Sequence, residues 1–176
     1  MGQSKDIEFV ELNVDIDQQR FYQQCLLELN EVLQSILGKN ESAAFISLVS
    51  VRIAEFFIKQ YHEQSGQRYF SVTQLANLFV DLKRRIGGDF FIEEVDSQKI
   101  VLRNNRCPFG DKILGNTALC NMTADVFGKI AVGSNNYAAV SVDEAIARGD
   151  PQCKVTILLQ PEEQLLDKYK EYYNVE

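Results

Sequence analysis

The hydrophobic period of this chain first changes at Gly87-Gly88. Before the two glycines, apolar residues recur at the three- and four-residue spacing of amphipathic helices. After them, short runs of β-branched and aromatic residues take over. Helices first and strands later, with no helix–strand alternation, give an α+β fold rather than a doubly wound parallel sheet. The expected architecture is N-terminal helices packed on an antiparallel sheet.

Phe21, Cys25, Leu29, Val32, Leu33, Ile36 and Leu37 share one helical face, and Gly38 supplies the stop. From Ser42 to His62 apolar residues nearly surround the helix, so it is either central or buried at a subunit interface. Ser71 and Gln74 read as a capping box for a third helix that carries Val72, Leu75, Phe79, Leu82 and Ile86. Phe90–Val95 and Lys99–Arg103 form a hairpin, and Thr117 opens a helix through Ile130. Tyr137–Val142 and Lys154–Leu159 read as strands, with a short helix from Ser141 to Ala147 as an alternative. Pro161 starts a last helix over Glu162–Tyr173. One domain over 1–176 is expected: a helical part (18–88), a cysteine-bearing α+β part (89–160) and a C-terminal helix (161–176).

The balance of charge narrows the partners. A net charge of −7 argues against a nucleic-acid surface, which needs clustered Lys and Arg. The one basic cluster, Lys83-Arg84-Arg85, ends a helix, where cations complement the carbonyl terminus. No apolar run is long enough for a membrane span, and no basic segment followed by an apolar run opens the chain. A cytoplasmic location is expected, and there the four cysteines are thiols or ligands rather than a disulfide framework.

Catalytic signatures are sparse. His62 is the only histidine and has no nucleophile or orienting acid in an evident relation to it. Neither a P-loop nor a dinucleotide fingerprint occurs, so the chain is read as a non-enzyme. Chemistry concentrates in Cys107, Cys120 and Cys153, each beside a change of chain direction, where ligands from separate elements can converge. Thiolates are soft ligands for zinc and iron–sulfur clusters, and a cysteine followed by proline, as in Cys107-Pro108, recurs at cluster sites. The trio is therefore the expected cofactor- and metal-binding set. A fourth ligand would be a carboxylate, His62, Cys25 or solvent, although Cys25 reads as core.

Arg106-Cys107-Pro108-Phe109-Gly110, Leu119-Cys120-Asn121-Met122-Thr123 with Val126-Phe127-Gly128, and Ile146-Ala147-Arg148-Gly149-Asp150 before Cys153 resemble the methanogen output domain family. That family is similar to vinyl-4-reductase sensory domains. The resemblance implies a vinyl-4-reductase or haem-NO-binding-like fold used for sensing or signal output in prokaryotes. It also implies a family cysteine pattern falling on Cys107, Cys120 and Cys153. The spacing differs from that of the zinc-binding phenol sensors, and no acidic residue stands just before Cys120, so their coordination does not transfer intact.

The functional expectation is a sensory or output domain whose trio binds an iron–sulfur cluster or zinc, or acts as a redox switch, and controls a signalling or transcription-regulator partner chain. One alternative is a small hydrophobic ligand held among Phe56, Phe79, Phe91 and Phe127. Another is a dimeric interaction subunit, a homodimer that uses the apolar second helix or the C-terminal Tyr169, Tyr172 and Tyr173.

Overall fold

The computed structural model describes residues 13–162 and 167–174. Helix α1 (Gln18–Leu37) starts where the Asp17 carboxylate accepts the Arg20 N–H at 2.8 Å. Gly38, at φ +85°, ends α1 and leads directly into α2 (Lys39–Ser65). Helix α3 (Val72–Arg85) carries the expected capping box: Ser71 accepts from the Gln74 N–H, and the Gln74 side chain accepts from the Ser71 N–H. The hairpin follows as β1 (Phe90–Val95) and β2 (Lys99–Asn104), then α4 (Ala118–Asn135), β3 (Tyr137–Glu144), β4 (Cys153–Leu158) and β5 (Lys170–Tyr173).

The sheet is antiparallel throughout, in the order β1-β2-β4-β3-β5. Its register places Ile100 opposite Ile157, Leu102 opposite Val155 and Val140 opposite Ile157, so one face is continuously apolar. Helices α3 and α4 cover that face, α2 packs on α4, and α1 lies outermost against α2. Phe79 of α3 and Phe127 of α4, both fully buried, meet at a centroid distance of 4.4 Å, and burying each contributes about 2–3 kcal/mol. Among the described residues no helix is long and apolar enough to cross a membrane.

Four sequence expectations need correction. The apolar stripe of α1 does not face the core: its buried residues are Leu27 and Asn30, while Phe21, Leu29, Val32 and Ile36 are exposed. Periodicity identifies an apolar face without saying what covers it. The four phenylalanines do not gather around a ligand, because Phe79 and Phe127 close on each other while Phe56 stands 60 % exposed. The segment after Ser141 stays in β3 to Glu144, followed only by a single 3-10 turn at Ile146–Arg148.

The expected C-terminal helix over Glu162–Tyr173 is replaced at its end by β5, and residues 163–166 lie outside the described residues. Strand pairing decides this outcome. β5 hydrogen-bonds along β3, with Tyr172 opposite Ala138, and Tyr172 turns inward to lie on α4 at Gly128. A Cβ at Gly128 would fall inside the Tyr172 ring, so only glycine admits this approach. Tyr172 is therefore part of the fold, whereas Tyr173 stays 60 % exposed.

Candidate functional site: a three-thiol chamber

The three C-terminal-half cysteines come from separate elements and line one cavity. Cys107 sits in the turn after β2, Cys120 in the first turn of α4, and Cys153 opens β4. With Phe90, Asn104, Leu119 and Thr123 among their neighbours, they enclose about 30 Å³. That is room for one or two water-sized molecules, since a water needs roughly 10–15 Å³ measured this way. All four cysteines of the chain are free thiols, and Cys25 lies half-buried on α1 outside this lining.

Local hydrogen bonds hold the chamber walls. Asn104, 1 % exposed, accepts the backbone N–H groups of Asp89 (2.9 Å) and Arg106 (3.2 Å), and its amide donates toward Cys153 Sγ at 3.7 Å. The Ile146 N–H donates to the same sulfur at 3.4 Å. Asn104 and Cys153 are cross-strand partners in the β2–β4 register, which puts them side by side on the core face. The Gly110 N–H closes the Cys107 turn on the Cys107 carbonyl at 3.0 Å. That turn rests on the end of α3 because Gly88 has no side chain: a Cβ there would lie 3.1 Å from both the Lys83 carbonyl and Pro108 Cγ.

Lys83 is the residue that sequence reasoning misplaced. Instead of sitting in water at the end of α3 with Arg84 and Arg85, it is 5 % exposed and turned inward. Its Nζ donates to Thr123 Oγ1 at 2.9 Å and lies 5.1 Å from the Phe127 ring centroid and 5.6 Å from that of Phe90. Desolvation by burial pulls its pKa down to about 8, and the charged neighbours that act against that fall are Cys107, Cys153 and Cys120. No carboxylate contributes. Burial likewise pushes the Cys107 thiol up, and the Cys120 thiol up to about 11. The missed signal was positional: Lys83 follows Leu75, Phe79 and Leu82 on the buried side of α3, whereas Arg84 and Arg85 fall outside that stripe.

The outer wall is Cys120, which borders both the chamber and a larger open groove of about 370 Å³. The groove is edged by Gln34, Lys39, Thr117, Asn121 and Arg148. Small polar molecules therefore have an approach to the thiols from the side where α1 turns into α2.

Another candidate fourth ligand, His62, lies elsewhere. His62 is half-buried in the last turn of α2 against Phe70, at a ring distance of 5.4 Å, and does not line the chamber. Among the described residues no three His, Cys, Asp or Glu side chains stand at metal-holding spacing. As placed, the three thiols lie near enough to the Lys83 ammonium to influence its charge.

The family model described as methanogen output domain 1 matches residues 25–158, from within α1 to the end of β4 and including every wall of the chamber. A comparison with curated proteins finds no match.

Proposed function

The chain belongs to the methanogen output domain 1 family, and we propose that it is a thiol-based sensor whose chamber, lined by Cys107, Cys120 and Cys153 and backed by the buried Lys83, reports oxidation to a signalling partner. One observation carries this reading: three thiols from different elements line a small cavity, and the buried Lys83 ammonium, bonded to Thr123 of the same lining, feels all three and has no carboxylate partner among the described residues. A buried charge left unpaired is costly, so a site that keeps one is built for a state in which negative charge appears beside it. A thiolate is that charge.

The chemistry balances with a two-electron oxidant such as hydrogen peroxide. A cysteine sulfur attacks one peroxide oxygen, the O–O bond breaks, and hydroxide leaves as water after taking a proton, for which the Lys83 ammonium is a nearby source. The resulting sulfenic acid is attacked by a second thiol, which forms the S–S bond and releases a second water. Cys153, whose sulfur accepts two N–H groups, and Cys107, on a turn rather than in an element, are the pair assigned to it. The cavity admits an oxidant of this size and excludes large electrophiles.

Metal ligation by the same trio is the second reading, favoured by the same convergence, and it requires the Cys107 turn to close on the other two sulfurs. Intact-mass analysis after peroxide treatment, with metal and acid-labile sulfide analysis of protein purified without oxygen, separates the two. Loss of two hydrogens in the wild type and not in Cys107→Ser, with no bound metal, supports the thiol switch. Stoichiometric zinc, or iron with sulfide, lost in Cys107→Ser moves the site to the metal reading. Inert, metal-free thiols overturn both.

A further inference from the structure

Helix α1 is 20 residues long, yet only Leu27 and Asn30 are buried, and Asn30 Oδ1 has no hydrogen-bond partner. Its outward side carries Tyr22, Leu26, Leu29, Leu33 and Ile36. Leu33 is half-buried; Tyr22, Leu26, Leu29 and Ile36 are 55 %, 42 %, 61 % and 72 % exposed. The intervals of four, three, four and three residues are those of a coiled-coil seam, with Leu26 and Leu33 at a and the other three at d. Helix α2, which packs against α1, also exposes Phe45, Leu48 and Phe56. The geometry points to a second copy of this chain as the occupant: two α1–α2 hairpins close into a four-helix bundle across a two-fold axis.

Two features select a second copy over a different partner. A seam of this period is met by another helix with the same period. The flanking positions that are not turned to the inner face, Cys25, Val32 and Leu37, carry no charge, so identical helices meet without repulsion although the whole chain carries −7. Two helical strips, each ~30 Å long and ~10 Å wide, would cover roughly 600 Å² per copy, close to the ~800 Å² that stable dimers bury.

The seam is tied to the chamber, and this part rests on the proposed function. The inner face of α1 holds the chamber loop: Gln23 Nε2 donates to the Pro108 carbonyl at 2.8 Å, and Lys112 Nζ donates to Gln24 Oε1 at 2.9 Å. Leu27 shares a packed cluster with Ile113 and Leu119, against which Cys107 and Cys120 lie. Drawing Cys107 toward Cys153 moves Pro108 and, through Gln23, the helix that carries the seam. Dimer affinity is then the quantity that the thiol state changes.

The test is light scattering and sedimentation of the full chain across micromolar concentrations, in reduced and peroxide-treated forms, beside Leu29→Glu and Ile36→Glu. Reduced wild type is expected at twice the 20.0 kDa chain mass. Each variant, altered at an exposed position, should keep its circular dichroism spectrum and melting temperature while associating at least about a hundredfold more weakly. A monomeric wild type, or variants that dimerise as well as wild type, overturns the seam. Equal dimer affinity in two verified thiol states overturns the link to the chamber, and thiols that do not oxidise overturn the functional reading while the dimer result stands.

Discussion

Two ionisable side chains are buried beside α4, and the protein treats them differently. Asp125, 1 % exposed, accepts hydrogen bonds from Ser47 Oγ (2.7 Å), Lys170 Nζ (2.6 Å) and Tyr172 Oη (2.7 Å), which joins α2, α4 and β5 at one carboxylate. Lys83, buried almost as deeply, has one neutral acceptor, two aromatic faces and three thiols. The Asp125 cluster is complete and therefore structural. The Lys83 cluster lacks its counter-charge, and a protein keeps such a group where a change of state supplies one.

Breaking the complete cluster should have the largest effect. Asp125→Ala removes three charge-assisted bonds, leaves the Tyr172 hydroxyl without its partner and frees β5 from α4, at a cost of about 3–4 kcal/mol in urea unfolding. A loss under about 1 kcal/mol would show that the carboxylate does not hold β5.

The incomplete cluster should respond with the opposite sign. Lys83→Met keeps the length of the side chain and removes the buried charge, so near neutral pH it should stabilise the protein by about 2 kcal/mol while slowing thiol oxidation. The sign follows from linkage. The folded-state pKa of about 8 lies below the 10.5 of a lysine in water, so below pH 8 both states carry the proton and the burial cost is fully present. As pH rises from about 8 to 10.5 the unfolded state holds more protons and the cost is relieved, so the advantage of the variant should fade across that window. Unfolding free energies of both proteins at pH 7 and pH 10.5 check this, and a pH-independent difference would count against a charged Lys83 in the chamber.

The smallest expected effect sharpens the contrast further. Thr123→Val removes the one hydrogen-bond acceptor of Lys83 at nearly constant volume and should cost about 1 kcal/mol. Ser47→Ala should cost less than Asp125→Ala, because Lys170 and Tyr172 still hold the carboxylate.

How much of this was legible beforehand varies by element. The capping box at Ser71, the hairpin around Asp96 and the helix opened by Thr117 are local patterns, and each appears near its expected place. The convergence of Cys107, Cys120 and Cys153 could be anticipated because each stands at a turn or an element's start, where topology brings distant segments together. Lys83 was missed because Lys83-Arg84-Arg85 looks like one basic helix end; its place beside the apolar stripe of α3 was the faint signal, and the packing of α3 on the sheet made the lysine inward and the arginines outward. Asn104 was missed for a related reason, since an asparagine ending a strand reads as turn chemistry until the β2–β4 register sets it beside Cys153.

The sequence by itself determined the order of helices and strands, the α+β class and the membership in an output-domain family, because period, caps and turns are properties of neighbouring residues. Tertiary structure alone decided which way the faces point. It made Lys170–Tyr173 a strand by offering the edge of β3, turned Lys83 among the thiols, and left the apolar side of α1 uncovered. Each of these depends on a surface supplied by residues far away in the chain, and hydrophobicity carries no record of which distant surface will meet it.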